Sequence, residues 1–177
     1  MLNLERIDAD FRDMTRLQAL AQEAFPPKEY LAPSRMIAMA QRRGFDFWAL
    51  YDGPEFIGFM TVMTGGRMAY LFFLAIVSQQ RGRGYGGQAL ARLKERYAGR
   101  QQVVDMERLD DGAANGLQRQ RRRRFYIHSG YQSTGWYISY LGVDYEILCN
   151  DADFDIEAFK MLMRHVAIEG FAPVYYQ

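Results

Sequence analysis

The chain has 177 residues, with 22 lysines and arginines against 21 aspartates and glutamates, so its formal net charge is +1. Hydrophobic residues make up 49% and charged residues 24%, which excludes disordered, collagen-like and coiled-coil proteins. The length predicts one domain over residues 1–177. Because the charge is near zero, we expect neither nucleic acid nor a membrane surface as a partner.

The cysteine content and the first residues of the chain indicate in which cellular compartment the protein is expected. Cys149 is the single cysteine, so a fold held by intramolecular disulfides is excluded. The first residues show no basic stretch followed by an apolar run, which a secretory signal would have. The longest apolar run, which ends at Val77, is too short for a membrane helix. A cytoplasmic location is therefore expected.

Hydrophobic spacing and turn residues predict the elements of the first half of the chain. Asp52-Gly53 between two apolar runs indicates a hairpin, and Ser34 is the expected N-cap of a short helix. These patterns predict a strand at 2–7, helices at 13–24 and from Ser34 to Gly44, and strands at 45–51, 56–64 and 68–77. The last strand shows no alternation, which indicates burial on both faces.

The second half continues with alternating helices and strands. The patterns predict a helix up to 98, a strand at 103–107, a helix at 114–129, strands at 136–141 and 144–149, and a helix from Asp155 to Gly170. Gly142-Val143 would join the last two strands in a type II′ turn. We therefore predict an α/β (α+β) fold on a mixed sheet.

A glycine-rich loop lies between the buried strand at 68–77 and the next helix. Its sequence is Ser78-Gln79-Gln80-Arg81-Gly82-Arg83-Gly84-Tyr85-Gly86-Gly87. Glycines let a backbone approach a ligand closely, and the first amides of a helix have no acceptor within the helix. With the helix dipole and two arginines, the segment predicts a pyrophosphate site.

The identity of the anion is a separate question. Gly82-x-Gly84-x-x-Gly87 matches a dinucleotide fingerprint, with Asp105 at a suitable distance, so a nicotinamide oxidoreductase is one alternative. Against it, four polar residues separate the strand from the first glycine, and only one parallel βαβ unit is predicted. A nucleotide P-loop is excluded, because no Gly-Lys-Ser/Thr follows the glycines.

Two motifs resemble those of a known enzyme family. Ile76 followed by Arg81-Gly82-Arg83-Gly84-Tyr85-Gly86 is similar to the coenzyme A signature of the GNAT superfamily of N-acetyltransferases, Arg/Gln-x-x-Gly-x-Gly/Ala. Tyr126-Ile127-His128-Ser129-Gly130-Tyr131 resembles the family's Tyr-x-x-x-Gly-Phe, with tyrosine in the last position. The resemblance implies a GNAT-like fold with a mixed sheet of about seven strands and helices on both faces.

The resemblance also implies which residues hold acetyl-CoA, the expected co-substrate. They are the backbone of Leu74, Ala75 and Ile76 and the loop residues Arg81, Gly82, Arg83, Gly84, Tyr85, Gly86 and Gly87. Asn115, which precedes the helix predicted to end near Ser129, is a candidate either to cap that helix or to contact the coenzyme. No metal is expected, because Asp151-x-Asp153-x-Asp155 begins like a calcium loop but lacks the required glycine.

Tyr126 and Glu107 are the candidate catalytic residues. The resemblance implies that Tyr126 lies beside the thioester sulfur, where a phenol suits protonation of a thiolate; the alternative is a tyrosine packed in the core. Many relatives carry a glutamate on the strand before the loop, and residues 70–77 contain no carboxylate. Glu107 is the best substitute as base. Its alternatives are ordered water in that role, or a structural pairing of Glu107 with an arginine.

An arginine-rich helix precedes the second motif. Arg119, Arg122, Arg123 and Tyr126 share one face by their spacing. That face could neutralise Asp105 and Glu107 or reach the phosphates of the coenzyme.

For the acceptor pocket, Glu29, Tyr30 and Trp136 are candidates by position in the family. The sequence predicts an acetyl-CoA-dependent N-acetyltransferase that acts on a primary amine of a small molecule or peptide. The alternative is a coenzyme A-binding regulatory module with weak catalysis. A homodimer is possible.

Overall fold

A computed structural model describes residues 2–177, which form eight strands and five α-helices. The first half comprises β1 (Asn3–Arg6), α1 (Met14–Ala24), α2 (Pro33–Ala40), β2 (Phe45–Asp52), β3 (Glu55–Gly65) and β4 (Met68–Ile76). The second half comprises α3 (Tyr85–Arg96), β5 (Gln101–Glu107), α4 (Gly116–His128), β6 (Gln132–Tyr140), β7 (Val143–Cys149), α5 (Ile156–Met163) and β8 (Val174–Tyr176).

The strands form one mixed sheet in the order β1-β2-β3-β4-β5-β7-β6-β8. This confirms the predicted fold class, but the sheet has eight strands and not about seven. The additional strand is β8, which pairs with β6 over only three residues, Tyr137 to Ser139. A strand of three residues is too short to show a recognisable alternation of apolar and polar residues in the sequence.

The chain divides into two compact units. Unit 1 contains the chain up to Thr64 together with Leu71–Ala98, and unit 2 contains Gly65–Tyr70 together with the chain from Gly99 onward. Strand β4 contributes its first residues to unit 2 and the others to unit 1. No helix among residues 2–177 is both long and apolar enough to span a membrane.

Unit 1 is built on the antiparallel pairing of β2 with β3. Phe47 and Phe59 are fully buried, with ring centroids 5.6 Å apart in an edge-to-face arrangement. Trp48 donates its indole N–H to the hydroxyl of Tyr97 at 2.9 Å, and that hydroxyl donates to Asp46 at 2.7 Å. These bonds connect the residue after α3 to β2 and so fix the end of that helix.

Unit 2 is built on the antiparallel pairing of β5 with β7 and of β7 with β6. Phe159 of α5 is fully buried and packs edge-on against Tyr70, with centroids 5.4 Å apart. Asp155 caps α5 as the sequence predicts, since its carboxylate accepts the N–H of Ala158 at 2.9 Å. However, α5 ends at Met163 and not at the predicted Gly170.

Two further local predictions are wrong. Pro33 is the first residue of α2 and Ala32 occupies the N-cap position, so Ser34 does not cap this helix. Proline at the first position is pre-organised for a helix and loses no hydrogen bond there. The helix ends at Ala40, before the predicted Gly44.

The turn between β6 and β7 is centred on Leu141-Gly142 and not on Gly142-Val143. Both residues have positive φ, +50° and +77°, as a type I′ turn requires. Leucine rarely adopts a positive φ, so the residue type at this position does not indicate that the turn lies here.

Gly58 in β3 permits a close approach to β4. A Cβ atom at this position would collide with the carbonyl oxygen of Ala75 and would lie 3.1 Å from Cα of Ile76. The obstacle is backbone, which cannot move aside as a flexible side chain can. Glycine is therefore required where β3 passes the end of β4 that leads into the glycine-rich loop.

We expect Gly58→Ala to lower the free energy of unfolding by about 1–3 kcal/mol, because the added methyl group overpacks β3 against Ala75. Urea unfolding followed by circular dichroism measures this. Gly87→Ala is the matched control: no atom lies within 4 Å of its added Cβ. Alanine there should be neutral or stabilising. Equal stability of the two variants would contradict the steric role of Gly58.

Candidate active site

The glycine-rich loop of unit 1 uses its glycines for backbone conformation. After β4 the chain makes a single 3₁₀ turn, Ser78–Gln80. Gly82 and Gly84 then take φ values of +76° and +82°, in the left-handed region that favours glycine. Gly84 occupies the N-cap position of α3. The loop thus turns the chain out of β4 and directly into the first turn of α3.

The N-terminus of α3 carries backbone donors with no acceptor inside the helix. Gln88 N–H is the first to bond back, to the carbonyl of Gly84 at 3.1 Å. The amides of Tyr85, Gly86 and Gly87 therefore have no intrahelical partner. The first turn contains no acidic residue, and α3 has 12 residues whose dipole favours an anion at this end.

The space at this helix end is open. No atom lies within 4 Å of a Cβ built on Gly82, Gly84 or Gly87, and the first two are exposed. A phosphate group could approach the amides without meeting a side chain. The loop therefore fits a pyrophosphate, as the sequence predicts.

The two arginines of the loop have partners within unit 1. Arg81 donates Nε–H to the carbonyl of Ile76 at 2.9 Å, and it forms an ion pair with Glu23 of α1 at 2.8 Å. Arg83 bonds the side chain of Gln80 at 3.1 Å. The Arg81–Glu23 pair was not predicted. Both side chains are about half exposed, so the pair adds little stability but sets the position of the guanidinium.

The three backbone residues expected to contact the coenzyme lie at the end of β4. Ala75 is buried, whereas Leu74 and Ile76 are partly exposed. Nearby, the N–H of Phe73 donates to the hydroxyl of Thr61 in β3 at 3.0 Å, which connects the two strands at this end of β4.

Tyr126 lies near the end of α4 in unit 2 and is only 9% exposed. Its ring packs edge-on against Tyr131, with centroids 5.9 Å apart. Among residues 2–177 its hydroxyl makes no hydrogen bond. Burial raises the pKa of Tyr126 to about 12, the charge of Arg122 opposes this rise, and the charge of Asp105 adds to it. The phenol is therefore held in its protonated form at neutral pH.

Glu107 belongs to a polar cluster at the end of β5. Arg119 donates to Oε1 of Glu107 at 3.2 Å, and Asn115 donates to Oε2 at 3.1 Å. Arg119 also bonds the side chain of Asn115 at 2.8 Å. Asn115 occupies the N-cap position of α4, but its side chain makes no capping bond. The structure thus brings Glu107 and Asn115 together, and the arginine pairing considered for Glu107 is present.

A second arginine of α4 binds a carboxylate that the sequence analysis did not single out. Arg123 forms two parallel hydrogen bonds to Glu146 of β7, at 2.8 and 3.1 Å. The Glu146 side chain is only 6% exposed, so the pairing compensates a buried charge. The sequence feature that could have indicated this pairing is a glutamate within the otherwise largely apolar strand at 143–149. Arg121, Arg122 and Arg124 are exposed.

Asp105 of β5 is also bonded in a way that the sequence did not predict. Tyr70 donates to one carboxylate oxygen at 2.9 Å, and Tyr140 donates to the other at 2.7 Å. Of the two carboxylates considered for neutralisation by the arginines of α4, Glu107 is paired with Arg119.

The acceptor-side candidates occupy different units. Glu29 and Tyr30 are half-buried in the loop of unit 1 before α2, and both backbone N–H groups donate to the carbonyl of Pro26 at 2.9 Å. Trp136 is half-buried in β6 of unit 2, with Nζ of Lys160 5.4 Å from its ring centroid. Residues 2–177 contain no group of three or more His, Cys, Asp or Glu side chains suited to a metal ion.

The model of the acetyltransferase (GNAT) family matches residues 11–131. This range includes the glycine-rich loop, Asp105, Glu107 and Tyr126. Comparison with curated protein sequences gave no significant match.

Solved structures share the fold over nearly the whole chain. A GNAT-family acetyltransferase from Bacteroides thetaiotaomicron is 22% identical, with a TM-score of 0.73, covering 93% of this chain and 97% of its own. An aminoglycoside 6′-N-acetyltransferase complexed with coenzyme A is 18% identical, with a TM-score of 0.64 and coverages of 83% and 95%. The ribosomal-protein-S18-alanine N-acetyltransferase from Escherichia coli is 15% identical, with a TM-score of 0.57 and coverages of 88% and 96%.

At these identities the solved structures show likeness of fold alone. The family model is the stronger finding, because it matches more than half of the chain and spans both motifs. It confirms the family predicted from the two motifs: the chain belongs to the GNAT family of acetyltransferases.

Proposed function

We propose that this chain is an N-acetyltransferase that uses acetyl-CoA and transfers the acetyl group directly to a primary amine. The observation that carries the proposal is the open N-terminus of α3, where Gly82 and Gly84 adopt left-handed conformations and the amides of Tyr85–Gly87 have no intrahelical acceptor. Family membership supports the same activity.

The residues present fit coenzyme A. The amides of Tyr85, Gly86 and Gly87 would hold the pyrophosphate, with Arg81 and Arg83 adding positive charge. Backbone groups of Leu74–Ile76 would bind the pantetheine arm, and an amide there would polarise the thioester carbonyl. Asn115 stays a further candidate for coenzyme contact. Acetyl-CoA, when bound, supplies the acetyl group as a thioester.

Tyr126 is the proposed general acid. As the amine nitrogen bonds to the acetyl carbon, the carbon–sulfur bond breaks and the phenol of Tyr126 gives its proton to the departing thiolate. Its raised pKa guarantees that the proton is present at neutral pH. The hydroxyl makes no hydrogen bond within residues 2–177, so no protein acceptor competes for that proton.

The acceptor amine must lose a proton before it attacks. Glu107 and ordered water are the two proposed acceptors of that proton. Both carboxylate oxygens of Glu107 already accept hydrogen bonds, one from Arg119 and one from Asn115. The contacts therefore favour water.

The ion pair between Glu107 and Arg119 also favours a second candidate function, a coenzyme A-binding module with weak catalysis. Residues 70–77 contain no carboxylate that could replace Glu107. Tight coenzyme binding without thiol release on any amine would favour the module.

The acceptor is proposed as a small-molecule or peptide amine. Structures of similar fold are described as acting on an aminoglycoside and on the alanine of a ribosomal protein, so the fold accommodates both classes. Glu29, Tyr30 and Trp136 stay candidates for contact with it. A cytoplasmic location and a homodimer also stay predictions.

We expect Gly84→Glu to weaken coenzyme A binding at least about 100-fold, since a carboxylate at the helix N-terminus repels the diphosphate and blocks its approach. Isothermal titration calorimetry measures the Kd. Gly99→Glu is the matched control, because Gly99 has a φ of +79° and equally open surroundings. Both variants carry the same strain and charge. Similar Kd values for the two would refute the loop assignment.

Tyr126→Phe should lower kcat about 100-fold or more and leave the Kd of acetyl-CoA nearly unchanged, since only the proton donor is lost. Release of free thiol with an amine panel measures turnover. Tyr131→Phe removes a neighbouring hydroxyl and serves as the control, with activity retained. An unchanged kcat in Tyr126→Phe would remove the acid role.

Tyr126 should remain protonated well above pH 10. Its pKa is raised from 10.0 to about 12 in the folded protein, so the unfolded chain loses this proton first. The stability that the buried phenol contributes is present below about pH 10 and is lost as the pH rises to about 12. Phenolate absorbance of the wild type minus that of Tyr126→Phe should stay flat up to about pH 11. A step near pH 10 would show that the phenol is not buried.

A further inference from the structure

One face of α4 borders an open groove in unit 2, here called the α4 groove. Its volume is about 200 Å³. It is lined by Leu109, from the loop before α4, and by the helix residues Gln120, Arg123, Arg124, Ile127 and His128. The helix residues recur with the spacing of a single helix face. None of the lining residues is a proposed catalytic, coenzyme-binding or acceptor-binding residue.

Exposed apolar side chains are concentrated at this face. Leu109, Leu117 and Ile127 are among the few large apolar side chains of residues 2–177 that are exposed. Leu109 and Ile127 line the groove. Leu117 lies three residues before Gln120, so it extends the same face of α4 towards the start of the helix. A cluster of exposed apolar side chains indicates a contact surface.

The side of the helix next to the groove carries positive charge. Helix α4 has five arginines and no acidic residue. Two of them pair with glutamates of the sheet, and the other three are exposed and form no ion pair within residues 2–177: Arg121, Arg122 and Arg124. Arg124 lines the groove, and Arg121 lies three residues before it on the same side of the helix. The guanidinium of Arg124 donates to the neutral side chain of Gln120 at 3.4 Å, so its charge is not cancelled.

The loop that carries Leu109 also contains two aspartates, Asp110 and Asp111. Oδ1 of Asp110 accepts the N–H of Gly112 at 2.9 Å, which holds this carboxylate within its own loop. Among residues 2–177 neither aspartate forms an ion pair with an arginine of α4. The described part of the chain therefore supplies no counterion for Arg121 and Arg124, and an external carboxylate is the group that complements them.

The size and chemistry of the α4 groove select among possible partners. Pockets for small-molecule ligands have volumes of about 300–1,000 Å³, so this smaller groove suits one apolar side chain of a larger partner. Nucleic acid bases stack on aromatic side chains, and the lining residues include no Phe, Tyr or Trp. A second copy docked through the same face would bring two arginine-rich helices together, which their like charges oppose.

We propose that the α4 groove docks an acidic segment of another protein, with one apolar side chain of that segment seated between Leu109 and Ile127. Carboxylates beside that side chain pair with Arg124 and Arg121. The partner class is a peptide in which leucine or phenylalanine is flanked by glutamates or aspartates. This docking is a further function of unit 2 and does not depend on the proposed acetyl transfer.

The test uses the blocked peptide Glu-Glu-Leu-Phe-Glu-Glu in an NMR titration of the ¹⁵N-labelled full chain without coenzyme A. The peptide should bind at least about 10-fold tighter than Glu-Glu-Ala-Ala-Glu-Glu, which lacks the apolar anchor, and than Gln-Gln-Leu-Phe-Gln-Gln, which lacks the charge. Amide signals of 108–110 and 120–128 should shift. Absence of binding, equal binding of the three peptides, or shifts confined to other residues would overturn the proposal.

A pair of charge reversals locates the electrostatic contact. Arg124→Glu should weaken binding of the acidic peptide about 10-fold or more, because it places a like charge at the groove. Arg122→Glu is the matched control: Arg122 is equally exposed on the same helix but does not line the groove. Its Kd should stay near that of the wild type. Equal weakening by the two variants would show a general attraction to a basic helix and would refute the docking site.

A second pair of variants tests the apolar anchor. Leu109→Ser should weaken binding of the same peptide about 10-fold, since the seated side chain loses its apolar neighbour. Met161→Ser is the control, because Met161 is 62% exposed against 42% for Leu109 and lies on α5 of the same unit, outside the groove. Melting temperatures show that all variants are folded. A wild-type Kd in Leu109→Ser would contradict the proposed anchor.

Two other occupants are tested with the same variants. Single-stranded oligothymidylate should bind more weakly than the acidic peptide, and tighter binding that Arg124→Glu abolishes would make the groove a nucleic-acid site instead. In sedimentation equilibrium, Leu109→Ser should leave the mass of the protein unchanged, and a dimer that this variant dissociates would make the groove a self-association surface. Either result would overturn the proposal. None of these measurements uses acetyl-CoA, so their outcome leaves the proposed function untouched.

Discussion

The unpaired backbone amides at the start of α3 are the feature on which the proposed chemistry depends. They exist because β4 runs into a loop whose glycines take left-handed conformations and deliver the chain to the helix without a capping side chain. A helix end of this kind attracts a diphosphate through both its hydrogen-bond donors and its dipole. Gly58 contributes from the neighbouring strand, because only glycine lets β3 pass the carbonyl of Ala75.

Unit 2 is organised by paired charges and phenols. Arg119 and Arg123 of the arginine-rich helix bind Glu107 and Glu146, at the end and in the interior of the sheet, and so connect α4 to β5 and β7. This use of the arginines is structural and explains part of the run without a nucleic-acid partner. Asp105 of β5 accepts hydrogen bonds from the phenols of Tyr70 and Tyr140, which connects β5 to β4 and β6 within this unit.

The places where sequence-based prediction failed have local physical causes. A serine after a proline resembles an N-cap, but the fixed φ of Pro33 already starts the helix. The turn at Leu141-Gly142 puts leucine in a left-handed conformation, which the strand pairing imposes on either side. Strand β8 is three residues long, and it is a strand only because β6 offers it a partner.

The sequence by itself determined the family, the mixed fold and the glycine-rich loop, since hydrophobic periodicity, glycine positions and both motifs are local signals within short segments. The hydrogen-bond partners of Asp105 were decided only by the tertiary structure. Tyr70 and Tyr140 each lie 35 residues from it along the chain, in opposite directions. The pairing of Arg123 with Glu146 spans 23 residues. Such partners meet through strand order and helix packing, which no single segment of the chain encodes.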